Sequence, residues 1–347
     1  MISLEFDIAK LIMIALDKGA SDLHLVTGIP PSIRVDGSIQ FLEIPHLTGE
    51  DTKNLIYPVL SKERIAIFEK DWELNFSYSN PDFGRVRASI YYQKGNVEGA
   101  FRIIPLTIKS LQQLGHPPVV SNLAMKPNGL VLITGPTGVG KTTTLNSMID
   151  LINTQRRARI ITVEDPIEFV HTHKNSVVIQ REVDEDTHSF QNALINSLRQ
   201  DPNVICIGEM RNLETISTAL TAAETGHLVL STLHTSDAAT TIDRVVDVFP
   251  PHQQTQIRIQ LSQCLQGIVC QQLLPKFGSP GRVLAGEILV ATPAIRNIIR
   301  EGKTNQIENA ITTGKDYGMI TLDASLKNLC RKGLVSVDVA KMKAKNP

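Results

Sequence analysis

The sequence predicts an α/β protein: a mostly parallel sheet with helices on its faces, preceded by a smaller α+β module. Three observations predict it. From residue 128 onward, short apolar runs rich in β-branched residues alternate with stretches of helical spacing. Before residue 105 the runs alternate apolar with polar and are broken by Gly and Pro. Between the first apolar run of the larger part and the helix after it stands Gly135-Pro-Thr-Gly-Val-Gly-Lys-Thr142, which fits G-x-x-x-x-G-K-[ST] at every fixed position.

Taken in order, Ile8, Leu11, Ile12, Ala15 and Leu16 fall on one face of a helix that ends at Gly19. Strand-like segments follow at 22–26, 32–37, 74–78, 84–92 and 97–104, so residues 1–104 read as one α+β unit. Residues 105–127 hold Pro105, Gly115, Pro117, Pro118 and Pro127 and read as an interdomain linker and hinge. Residues 128–347 form the second domain, with strands expected at 129–135, 159–164, 204–208 and 227–233. Beyond Val245 the chain reads mainly helical, with a helix over 293–301 between an N-cap Thr292 and a C-cap Gly302.

Composition excludes several classes. At 347 residues, 42% hydrophobic and 20% charged, the chain is long enough for two ordinary cores. A net charge of zero argues against a general affinity for nucleic acid or anionic membrane. Cys206, Cys264, Cys270 and Cys330 make no C-x-x-C pair, so neither a zinc site nor a redox motif is indicated, and unpaired cysteines suit a reducing cytoplasm. Acidic Glu5 and Asp7 and one short apolar run at 11–16 make neither a signal peptide nor a membrane span. Membrane association is therefore expected only through a partner.

The loop carries the chemistry. Gly135, Gly138 and Gly140 let the backbone curl so that amide hydrogens point at phosphate oxygens. Lys141 reaches the terminal phosphates, the Thr142 hydroxyl ligates Mg²⁺, and Pro136, Thr137, Val139 and Thr143 complete the cradle. A nucleoside triphosphate, ATP, is the expected ligand. Hydrolysis also needs acids at neighbouring strand ends. The 204–208 strand runs into Glu209, which would hold the Mg²⁺ or its water. The 161–164 strand ends in Glu164, the candidate catalytic base. His227 and His234 flank a fourth strand, and both are candidates for sensing the γ-phosphate.

With these residues in place, the chain resembles the hexameric ATPases of the secretion superfamily, and within them the pilus retraction branch. The resemblance rests on 135–142, on the acidic box at 161–168, on the Walker B segment 208–216 and on the histidine box at 226–235. It extends to 20–25, 101–105 and 241–250, and so covers nearly the whole chain. It departs at Gly208, where a Walker B motif usually has Asp, at Asn212, where the family usually has Asp, and at Asp184-Glu185, which adds charge after Val183. Ala294-Ile-Arg-Asn-Ile-Ile299 is similar to the Ala-Ile-Arg-Asn-Leu-Ile motif of retraction ATPases, with Ile298 for Leu, and the tetracysteine module of extension and secretion ATPases is missing from the sequence.

The resemblance implies a RecA-like P-loop core behind a PAS-like N-terminal domain. It implies that Arg85, Arg87 and Arg102 serve the γ-phosphate, as arginine fingers do. It also implies a homohexamer at the cytoplasmic face of the inner membrane, working on a pilus platform protein, with an accessory retraction ATPase as a further partner. Alternatives from the same sequence are an extension or secretion ATPase, an accessory retraction ATPase and a low-turnover nucleotide-dependent regulator. A nucleic-acid motor lacks both the basic charge and the aromatic platforms.

Overall fold

The computed structural model describes residues 6–35, 37–104 and 107–346; Glu5, Asp36 and Pro105, which figured in the sequence reading, lie outside the described residues. The chain separates into two units, 1–107 with Glu168–Val170, and the remainder from Ile108.

In the first unit, helix α1 (Ile8–Asp17) starts at an Asp7 cap and lays Ile8, Leu11, Ile12 and Ala15 inward. The strands are β1 (Asp22–Leu25), β2 (Ser32–Val35), β3 (Ser38–Phe41), β4 (Glu73–Asn80), β5 (Gly84–Gln93) and β6 (Asn96–Ile103). They form one antiparallel sheet in the order β3-β2-β1-β6-β5-β4. Two helices, α2 (Gly49–Ile56) and α3 (Lys62–Asp71), intervene between β3 and β4. One face of the sheet supplies Leu23, Val86, Ala88, Ile90 and Phe101 to the core beneath α1 and α2.

The second unit is built on a sheet in the order β13-β12-β7-β11-β10-β8-β9. These strands are β7 (Gly129–Thr134), β8 (Arg159–Glu164), β9 (Val177–Glu182), β10 (Val204–Ile207), β11 (Leu228–Leu233), β12 (Leu265–Pro275) and β13 (Arg282–Val290). Every neighbouring pair is parallel except β12 with β13. Alternation divides each central strand between two cores, because successive side chains point to opposite faces. Leu130, Leu132, Ile205, Ile207 and Val229 enter one core, whereas Val131, Ile133, Val204, Cys206 and Leu230 enter the other. Burial on both faces explains why these strands read as continuous apolar runs.

The helices are α4 (Pro118–Ala124), α5 (Lys141–Gln155), α6 (Phe190–Ser197), α7 (Leu213–Glu224), α8 (Ala238–Asp247), α9 (Pro251–Cys264), α10 (Pro293–Glu301), α11 (Ile307–Thr313), α12 (Leu322–Arg331) and α13 (Val337–Lys343). Helix α10 has the Thr292 cap and left-handed Gly302 that the sequence predicted.

Three expectations need correction. The region beyond Val245 is not mainly helical: β12 and β13 extend the sheet by two long strands, and their alternation (Ile268 and Cys270 to one core, Val269 and Ile288 to the other) is masked by Gly267, Gln271 and Gln272. The interval between β8 and β10 holds β9 as well as a helix. The expected linker 105–127 is shorter than predicted, because Leu111, Val120, Leu123 and Ala124 are core residues of the second unit. Pro117 and Pro118 start a helix there instead of breaking one.

Candidate nucleotide site

The phosphate loop joins β7 to α5. Gly135, Gly138 and Gly140 have φ of 140°, 79° and 85°, values that side-chain-bearing residues rarely adopt. At Gly135 a Cβ would also lie 2.4 Å from the Gln271 carbonyl, so only glycine lets β12 pack this close to the loop. Gln271 reinforces the contact: its amide donates to the Val139 carbonyl at 2.8 Å. Arg282 donates to Gly138 O at 3.3 Å. Sequence reasoning missed both residues, because they lie on the strands it read as helical.

Lys141 is buried, and its ammonium donates to the carbonyls of Gly135 and Pro136, each at 2.9 Å. Its third contact is His234 Nδ1 at 3.3 Å. On the other side of that ring, Nε2 lies 3.2 Å from Glu209 Oε1. An ammonium has only hydrogens to give, so Nδ1 accepts from Lys141 and Nε2–H donates to the carboxylate. Glu209 Oε2 takes Arg211 Nη2 at 2.8 Å. Burial pushes the Glu209 carboxyl up, but Arg211 and His234 outweigh it and hold it below the usual range. Burial pulls the Lys141 ammonium down against the opposing pull of Glu209. The result is a continuous polar chain: Lys141, His234, Glu209, Arg211.

Strand register places the second acid. Val163 of β8 is level with Ile207 of β10, so Glu164 lies beside Gly208 and next to Glu209 along the sheet edge. A Cβ at Gly208 would sit 3.3 Å from Val163 O and 3.5 Å from Glu164 Cα, which gives the departure from the Walker B pattern a packing reason. Glu164 is 4% exposed, and its Oε1 accepts from Thr162 Oγ1 at 2.7 Å and Gln180 Nε2 at 3.1 Å. Thr232 on β11 donates to Gly208 O at 2.6 Å and ties the histidine strand to the acidic one.

His227 does not join this group. It precedes β11, its Nδ1 faces Ala222 O at 3.0 Å, and its carbonyl accepts from Gly129 N, at the start of β7. Seven residues of strand at about 3.3 Å each put it roughly 23 Å from His234. Its role here is to finish α7, and its expected place beside the phosphate is withdrawn.

Thr142 and Thr143 lie in the first turn of α5, and two buried histidines hold the residues that follow them. His116 Nε2 meets Thr144 Oγ1 at 2.9 Å, and His171 Nε2 meets Asn146 Oδ1 at 2.7 Å. Asn146 in turn donates to Thr142 O at 2.9 Å. Burial lowers both histidines to about 4. Folded pKa values below the unfolded 6.5 mean that the unfolded chain takes up protons first, so stability is full above pH 6.5 and falls as pH drops toward 4. Each histidine contributes on the order of 3 kcal/mol to that loss. Thermal melts of the parent and of His116→Asn, His171→Asn should converge between pH 6.5 and 4; parallel curves would contradict the assignment.

In the first unit, Arg87 of β5 is directly opposite Arg102 of β6, and both are exposed. Arg85 lies two residues along the same face and donates to Ser79 Oγ at 3.5 Å. Like charges directly opposite on a sheet are unfavourable. Asp22 offsets one of them, accepting from Arg102 Nε at 3.1 Å.

A glycine-rich loop at a helix N-terminus, with a lysine and two strand-end acids on one sheet edge, defines a phosphate-loop nucleotide-binding protein of the α/β class. Residues 102–327 match the family described as Type II/IV secretion system protein, and the chain belongs to that family. It is 48% identical, over 98% of its length and 99% of the relative's, to the type IV pilus retraction ATPase PilT of Pseudomonas aeruginosa. It is 45% identical to a twitching motility protein of Neisseria gonorrhoeae, over 91% of this chain and 84% of the relative. Its fold superposes on a crystal structure of the pilus retraction motor PilT with bound ADP, with a TM-score of 0.93 and 48% identity, covering 99% of this chain and 98% of that one. No helix among the described residues is long and apolar enough to cross a membrane.

Proposed function

We propose that the chain is an ATP-hydrolysing motor that drives retraction of a type IV pilus. The observation that carries the reading is the Lys141–His234–Glu209 chain beside Glu164, set on a loop whose glycine conformations suit phosphate. Its near full-length likeness to a named retraction ATPase supports the output.

The loop amides and Lys141 bind the β- and γ-phosphates, which compete with the Gly135 and Pro136 carbonyls for the same ammonium. Thr142 and Glu209 offer the hard oxygen donors that Mg²⁺ prefers, and the ion would neutralise charge on the phosphates. Glu164 takes a proton from the attacking water as its oxygen bonds to the γ-phosphorus, and the bridging oxygen leaves on ADP. His234, tied to both Lys141 and Glu209, registers whether the γ-phosphate is there. Arg85, Arg87 and Arg102 share one sheet face and carry the kind of charge an arginine finger uses. Six copies form the ring, and hydrolysis works on a pilus platform protein in the inner membrane.

Time-lapse imaging of labelled pili tests the output. Deleting the gene in its host should leave pili that extend but do not shorten, and a plasmid copy should restore shortening. Pili that fail to extend would make this an extension motor.

A further inference from the structure

Four residues beyond His234 the chain enters α8, and this turn is held by Glu287 and Lys345. The Ala238 amide donates to Glu287 Oε1 at 2.8 Å. Glu287 stands on β13 and is 3% exposed. Its other oxygen receives Lys345 Nζ at 3.0 Å. The same ammonium lies 4.0 Å from Asp237 Oδ2, while Asp237 Oδ1 caps α8 through Thr240 N at 2.8 Å. Lys345 is itself tethered: its amide and that of Asn346 donate to the two Asp323 oxygens at 2.8 and 3.0 Å. Inside the turn, Thr235 and Thr241 share a hydrogen bond of 2.7 Å, and Thr241 donates to Asp237 O at 2.6 Å.

A buried carboxylate beside a second one is tolerable only with a cation between them. Lys345 supplies it. Asp237, Glu287 and Glu308 all line one cavity of about 380 Å³, together with Lys345. Without the ammonium, three acids would share that space. Water would enter to solvate them, and Glu287 would loosen its grip on Ala238 N–H.

We infer that Glu287 and Lys345 are positioning residues for ATP turnover: through Ala238 and Asp237 they fix the turn that aims His234 at Lys141 and Glu209. The inference rests on the reading of His234 as the γ-phosphate sensor. Neither residue belongs to the phosphate loop or to the strand-end acids. A small misplacement of His234 lowers the rate of the chemical step with little effect on ATP binding, because the loop contacts are unchanged.

The test compares kcat and KM for ATP in full-length Lys345→Met, Lys345→Arg and His234→Ala, each normalised to nucleotide-binding sites counted by analogue titration. Lys345→Met should lower kcat per site about tenfold to a hundredfold with KM within about twofold, and Lys345→Arg should restore it. A purely structural role would lower the number of sites and the melting temperature but not kcat per site, and that result overturns the inference. If Lys345→Met does not fold, Asp323→Ala, which removes both acceptors of the tether, takes its place; parental kcat per site would overturn the inference equally. His234→Ala at the parental rate removes the sensor reading and this inference with it. A slow His234→Ala with an unaffected Lys345→Met removes this inference alone.

Discussion

Replacing Glu209 by Gln is expected to lower ATP turnover by about 10²- to 10³-fold while ATP binding stays within a few-fold of the parent. The substitution keeps size and shape but removes the charge that faces His234 and Arg211. That charge also opposes the desolvation of Lys141. Binding survives because the loop amides and the Lys141 side chain stay in place. If Glu209 holds the metal, the Mg²⁺ concentration for half-maximal rate should rise in the variant. Steady-state rates over a Mg²⁺ series, with binding measured by nucleotide-analogue fluorescence, check both parts. Unchanged turnover would remove Glu209 from the chemistry.

Glu164→Gln should cost about 10²- to 10⁴-fold in kcat with KM and Mg²⁺ dependence unchanged, the range expected for loss of a general base. The amide oxygen can still accept from Thr162, so the local fold should hold. What the amide lacks is a lone pair basic enough to take a proton from water. The two variants thus separate the two acids by their response to metal. Equal loss of Mg²⁺ affinity in both would mean that the acids act as one ligand pair and that the base lies elsewhere.

How much was legible in advance follows from the kind of signal each residue leaves. The loop and the central strands were readable because β7, β10 and β11 are buried on both faces, which forces unbroken apolar runs. The closeness of Glu164 and Glu209 was readable because parallel strands carry their ends in step. By contrast, β12 places Gln271 and Gln272 where a lone strand would show apolar residues, since Gln271 is turned to the phosphate loop. A polar residue with a job there breaks the alternation that would have revealed the strand. His227 was misplaced by its likeness to His234, although a spacing of seven along one strand already sets the two at opposite ends. The grip of Glu287 on α8 had no local signal at all, because its partners Ala238 and Lys345 are distant in sequence.

The claim at the centre is that hydrolysis at this site shortens pili. The most direct measurement is a count of surface pili, with surface motility scored in parallel, in the host carrying Glu209→Gln at the native locus. Normal protein level, more pili per cell and lost twitching are the predicted result. Bald cells would contradict it, because they would mean that the same hydrolysis builds pili.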